Sequence, residues 1–390
     1  APHLPGLVQL RRRVHAAPEL SRAEHRTTAL LVERLRAAGL HPVELPGTGL
    51  VCDVGPEPAG SDGPGARRVV ALRADLDALP VQDLTASAWT SAVPGVAHAC
   101  GHDVHTAVVL GAGLVLADLH RAGRLPGRVR LVFQPAEEDT PGGALDVLAA
   151  GALDDVARIL GIHCDPHLDV GRVGLRAGPL TAAFDRISVR LHGPGGHTSR
   201  PHLTSDLVFA LAKVVTEVPA VLSRRLDPRS GVSLVWGHVS AGGAENAIPA
   251  TGVVGGTLRC LDADAWQAAG DLLAEVVHEV VAPYGARAEV DHRRGVPPVV
   301  NDAAAVAALS HATRHELGED AEVPTGQSLG GEDFAWYTRE VPGAMARVGT
   351  RTPGGPTTDL HRGDFDPDER AIGIGARLLA AAALESLATP

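Results

Sequence analysis

Three apolar runs in the first half of the chain each end in residues that carry chemistry. Residues 68–74 lead into Asp75 and Asp77, residues 129–133 into Glu137 and Glu138, and residues 159–162 into His163. Short runs of this kind read as strands buried on both faces. Residues 105–120, between the first two, read as a helix. Buried strands alternating with helices predict an α/β core with a substantially parallel sheet. Ligands in such sheets bind beyond the carboxyl ends of the strands, which is where all five of these residues fall. The opening segment reads as helical. Ser21 and Glu24 have capping-box spacing ahead of a helix through Leu30, Leu31 and Leu35, with Gly39 as its stop. Residues 55–65, rich in Gly and Pro, read as a surface loop.

From about Phe184 the pattern changes. Residues 186–191, 232–239, 253–261 and 286–290 read as strands, and 203–222 and 263–281 as helices. The order β-α-β-β-α-β is that of a ferredoxin-like unit. Helical patterns return at 301–317 and 369–387, and residues 349–358 read as a flexible loop. A chain of 390 residues exceeds a single typical core. The expected fold class is therefore α/β in two domains. A catalytic domain with a mixed, mostly parallel sheet (1–181 and 294–390) is interrupted by an inserted ferredoxin-like α+β domain (182–293).

A formal net charge of −11 argues against nucleic acid as a partner, because phosphate binding needs a basic surface. No uninterrupted stretch of about 18 apolar residues suggests a membrane span, and residues 1–6 lack the charged-then-apolar pattern of a signal peptide. Cys52, Cys100, Cys164 and Cys260 are too sparse for a disulfide scaffold, so a cytoplasmic chain is the simple reading.

The strongest local signal is His98-Ala99-Cys100-Gly101-His102-Asp103-Val104-His105. A thiol and an imidazole two residues apart, around a glycine, can converge on a zinc-type metal. Taken alone, the segment reads equally well as a packed Cys among surface histidines. Asp103 is a candidate for orienting an imidazole. Glu137 and Glu138 form a carboxylate pair at a strand end; one can bind metal while the other faces water. His163 closes another strand, and His361 follows Asp359-Leu360 far along the chain. Cys100, His102, Glu138, His163 and His361 are too many for one closed tetrahedral site and suit two ions sharing a bridge, with Glu137 left over.

These motifs resemble the M20 metallopeptidases, in particular the amidohydrolase branch of N-acyl-amino-acid amidohydrolases, hippurate hydrolases and auxin-conjugate hydrolases. The resemblance runs from His15-x-x-Pro18-Glu19-Leu20-Ser21 through Arg73-Ala74-Asp75-Leu76-Asp77, His98 to Asp103 and Gln134-Pro135-Ala136-Glu137-Glu138. It continues through Gly195-Gly196-His197, Asn246-Ala247-Ile248-Pro249 and Gly256-Thr257-Leu258-Arg259 to Gly331-Glu332-Asp333-Phe334 and Leu360-His361. It implies that Cys100 bridges two divalent metals, with His102, Glu138, His163 and His361 completing the shells. It makes Glu137 the general acid/base and sets Asp75 behind the ligands. His197 resembles the histidine that reaches a partner subunit's site to stabilise the oxyanion, and Asn246 and Arg259 resemble the groups that hold the substrate carboxylate. The inserted domain, by the same likeness, is both lid and dimerisation surface.

The activity so implied is metal-dependent hydrolysis of N-acyl amino acids by a homodimer, with a tetramer open. A dipeptidase or carboxypeptidase with the same dinuclear site is the alternative, and a non-catalytic binding protein on this scaffold a weaker one. Thiolate, imidazole and carboxylate together suit zinc, manganese, cobalt or nickel. Ala97 and Asp83 stand where Met and Glu are common in the branch, which bears on the acyl group accepted rather than on the reaction.

Overall fold

The structure is a computed structural model that describes residues 2–56 and 69–388. Most of the expected loop 55–65 lies outside the described residues. Two compact units emerge: Ala1–Gly178 with Val300–Gly326 and Trp336–Pro390, and Pro179–Val299 with Gln327–Ala335.

The first unit is built on an eight-stranded sheet. Val69–Asp75 runs parallel to both Arg128–Gln134 and Val156–Asp169, and Gly343–Arg351 runs parallel to Val156–Asp169. Antiparallel neighbours, Leu50–Val54 and Val173–Leu175, flank this centre, so the sheet is mixed. Val69–Asp75 is buried at every position, as its apolar run requires. Alternate side chains (Val70, Leu72, Ala74, Leu131, Phe133, Leu160, Ile162) enter a core with Ala107, Val108, Leu379 and Ala383. The last four come from helices His102–Arg121 and Arg370–Ala388. Both helices are long and apolar enough to cross a membrane, but 78% and 56% of their most apolar windows are buried in this core, which accounts for their composition.

The capping-box expectation is overturned. The helix His25–Ala37 has Glu24 itself at the N-cap, with no side-chain cap bond. Glu24 turns away to accept from Ala136 N–H (2.8 Å) and the Thr48 hydroxyl (2.6 Å), while Ser21 donates to Asp77. Glu19 caps the helix instead: its two carboxylate oxygens accept from the Arg26 and Thr27 amides at 3.0 and 2.8 Å. Gly39 does end the helix, at φ +78°, with Leu40 N–H returning to Leu35 O. The strand expected at 159–162 extends over Val156–Asp169. Residues 349–351, expected in a loop, close the strand Gly343–Arg351.

The second unit follows β-α-β-β-α-β over Ala183–His192, Leu207–Arg225, Ser233–Ala241, Thr251–Cys260, Ala263–Val281 and Arg287–Val296. The strands are antiparallel in the spatial order 233–241, 251–260, 183–192, 287–296, which is ferredoxin-like. The first helix starts four residues later than its pattern suggests. Pro201–Leu203 is a separate 3-10 turn, and Asp206 caps the helix by accepting from Phe209 N–H. A short ribbon pairs Gly196–His197 with Ala247–Ile248.

Candidate dinuclear metal site

Gly101 joins a loop to the helix His102–Arg121 in the left-handed region, at φ +89°. A Cβ there would sit 2.7 Å from the Cys164 Sγ, so both backbone and space require glycine. The turn brings Cys100 and His102 to the middle of the Val156–Asp169 strand, where Cys100 Sγ lies 3.6 Å from His163 Nε2. His163 Nδ1 faces the Cys164 carbonyl at 2.8 Å, a pure acceptor. Nδ1 therefore carries the proton, and Nε2 offers its lone pair toward the thiol. His102 is set in the same way: Nδ1 faces the carbonyl and a carboxylate oxygen of Asp77 at 3.0 and 3.1 Å. Such outer partners fix tautomer and ring orientation in metal sites.

Among the described residues His102 Nε2 is buried without a hydrogen-bond partner, and so is Glu138 Oε1. Orphaned lone pairs of this kind are costly unless something cationic satisfies them. His361 Nε2 stands 3.3 Å from Glu138 Oε1. Three of the groupings whose ligand atoms lie within 4.8 Å of one another hold the expected residues: Cys100, His102 and His163; Cys100, Glu138 and His361; and His102, Glu137 and Glu138. Cys100 is common to the first two. The donor set of thiolate, imidazoles and carboxylates fits a site for two divalent ions.

The electrostatics favour a cation. Burial opposes charge on His102, yet Asp75, Asp77 and Glu138 outweigh it and raise its pKa to about 10. A proton held that firmly marks a position a dication can take. His163 moves the other way: burial, then the charge of Arg347, hold it well below its usual value and so neutral. Burial raises the Asp75 carboxyl, but His102, His105 and Arg73 overcome it and keep it ionised.

Asp75, Cys100, His102, Glu137, Glu138, His163 and His361 all belong to the first unit. Asp75 lies behind the cluster, 2.6 Å from His105 Nδ1, 2.6 Å from Arg73 and 3.8 Å from His102 Nε2. Asp77 and His105 were not singled out for these roles in the sequence. Asp77 also accepts from Glu138 N–H at 2.9 Å, and His105 Nε2 accepts from Cys164 N–H at 2.9 Å. The signal that could have found them is their position at strand end and first helical turn beside the motif residues. Asp103 departs from its expectation: it binds His15 (2.8 Å) and Arg11 (2.7 Å), both buried, rather than a ligand imidazole.

His197, Asn246 and Arg259 belong to the second unit. The ribbon pairs His197 with Ala247, so Asn246 is its near neighbour, and Thr198 N–H donates to Asn246 O. His197 Nδ1 accepts from Ser199 N–H at 3.1 Å, with the Ser199 hydroxyl at 2.9 Å. A backbone N–H can only donate, so the His197 proton is on Nε2. Arg259 donates to Leu329 O and lies 5.0 Å from the Phe184 ring centre.

A site of this composition defines a metal-dependent hydrolase. The model of the peptidase family M20/M25/M40 matches residues 71–385, and the chain belongs to that family. It is 50% identical over 376 residues to a Rhodococcus jostii protein bearing the name of a glutamate–cysteine ligase, covering 96% of this chain but 46% of that protein. The chain thus spans about half the length of that relative. It is 36% identical over 368 residues to an N-acetyl-L-cysteine deacetylase of Bacillus subtilis, covering 94% and 84% of the two chains. Among solved structures, a dinuclear metal binding peptidase of the M20 family from Bacillus subtilis superposes with a TM-score of 0.85 at 33% identity, covering 100% and 99%.

Proposed function

We propose that this protein hydrolyses the amide bond of N-acyl amino acids, releasing a carboxylic acid and a free amino acid. The observation that carries the reading is Glu137. Its Oε2 stands 3.8 Å from His102 Nε2, within the cluster but outside the shared-thiolate groupings of Cys100. A carboxylate so placed can move a proton without being needed as a ligand. The substrate class rests on the similarity to an N-acetyl-L-cysteine deacetylase, whose name describes an N-acyl amino acid.

Cys100, His102, Glu138, His163 and His361 would hold two divalent ions, zinc, manganese, cobalt or nickel. Bound there, the ions would supply Lewis acidity and lower the pKa of water towards about 7. Glu137 would take the proton of the attacking water and return it to the leaving nitrogen. The Nε2–H of His197 would donate to the carbonyl oxygen as charge develops, an interaction typically worth about 2.7–4 kcal/mol. The planar fork of Arg259, with Asn246, would hold the α-carboxylate. Asp75 and Asp77 would keep His105 and His102 in place. The proposed assembly is a homodimer joined through the inserted unit, and four buried, widely spaced cysteines suit a cytoplasmic setting.

The test is release of free amino acid from N-acetyl, N-benzoyl, long-chain N-acyl and indole-acyl amino acids, with dipeptides alongside. The protein is stripped of metal and assayed with and without manganese, zinc or cobalt. Metal-restored release from acylated substrates is the expected result. Release from dipeptides alone would transfer the reading to a peptidase.

A further inference from the structure

Arg347 lies in the strand Gly343–Arg351, directly opposite His163 on one neighbouring strand and Gly174 on the other. Directly opposed side chains share a face of the sheet. Ala346 and Val348 point into the helix-covered core, so Arg347 is on the other face, with His163. Its charge is felt at the His163 ring.

Among the described residues no hydrogen-bond or ion-pair partner for it stands on that face. The positions around Arg347 are His163 and Gly174 across the sheet and Met345 and Gly349 along the strand, none of them acidic. Asp165, diagonal to it and opposite Gly349, accepts from His167 N–H at 2.8 Å. Among the described residues Arg347 makes no hydrogen bond or ion pair, although it is half-buried. Of the other half-buried arginines of this sheet, Arg130 is matched by Asp53 and Arg351, four residues along the same strand, by Asp169 at 2.7 Å, whereas Arg158, five residues before His163, also buries its Nε without a partner among the described residues. A partly desolvated guanidinium beside a site for dications calls for an anion, and its fork matches a carboxylate.

We propose that Arg347 binds a second carboxylate of the substrate, in addition to the α-carboxylate, and so selects N-acyl amino acids with two negative charges. This rests on the hydrolase reading given above. The second carboxylate has two sources, an acyl group such as succinyl or an acidic amino-acid side chain, and substrate pairs separate them.

With metal-loaded protein, kcat/KM is measured for N-succinylalanine against N-butyrylalanine and for N-acetylglutamate against N-acetylglutamine. The wild type is expected to favour the charged member of one pair by about tenfold or more, the scale of one charge-assisted hydrogen bond. The pair that responds identifies the source. Arg347→Met collapses that ratio, and Arg347→Lys keeps part of it. A wild-type ratio near one in both pairs, or a ratio unchanged in Arg347→Met, overturns the proposal. Absence of turnover on every substrate would sink the hydrolase reading instead. Calorimetric titration of succinate against butyrate then decides: tighter succinate binding lost in Arg347→Met sustains the subsite, and equal binding of the two acids removes it.

Discussion

Nδ1 of His102 lies 3.1 Å from Oδ1 of Asp77, and this contact leaves only Nε2 to face Cys100, Glu137 and Glu138. The same aspartate accepts from the backbone of Glu138 at 2.9 Å, so one buried side chain sets two candidate ligands. Asp77→Ala should weaken divalent-metal binding by about 10–100-fold, the usual cost of losing an outer partner. Competition with a chromophoric chelator reads this directly. Unchanged affinity would show that the His102 ring is held by packing alone.

Glu137→Gln keeps the size of the side chain and removes the proton acceptor. Metal content by mass spectrometry should match the wild type, while kcat falls by about 10²–10⁴-fold. Chelator treatment of the wild type should abolish turnover, with recovery on adding metal. A Glu137→Gln protein that binds less metal would make Glu137 a ligand rather than the acid/base.

Glu19 supplies the cap that Ser21 and Glu24 were expected to supply. Glu19→Ala should cost about 0.5–2 kcal/mol of local helix stability. Amide exchange at residues 26–30 measures it, because local opening reports the first turn without unfolding either unit. A larger effect from Ser21→Ala on the same amides would restore the capping box.

The difference between these residues shows what was legible in the sequence and why. The strand ends leading to Asp75, Glu137 and Glu138 could be read because buried strands are largely apolar and stop where polar residues begin, whereas His163 lies inside the strand Val156–Asp169, which runs on through polar residues. The ferredoxin-like order was readable for a related reason: Ala183–His192 alternates with period two. Choosing between partners was out of reach. Ser21 and Glu24 have capping spacing, but Asp77, Thr48 and Ala136 compete for them from more than twenty residues away. Asp103 was next to the ligand motif and went to Arg11 and His15, which approach from the helix Leu4–Ala16. The assignment of 327–335 to the second unit likewise depends on long-range packing, such as Gly331 against Phe184 and Val296, that no local pattern encodes.

Ser199 holds His197 with Nδ1 accepting and its proton on Nε2. A donor in that form suits a developing oxyanion, because it needs no change of tautomer as charge builds. His197→Ala should lower kcat by about 10²–10³-fold with a much smaller change in KM. Ser199→Ala removes only the hydroxyl and keeps the backbone donor, so its loss should be far smaller. Nitrogen NMR of ring-labelled protein should show Nδ1 unprotonated in the wild type and still largely so in Ser199→Ala. A His197→Ala protein whose defect lies wholly in KM would make the residue a substrate-binding group and leave the oxyanion without this donor.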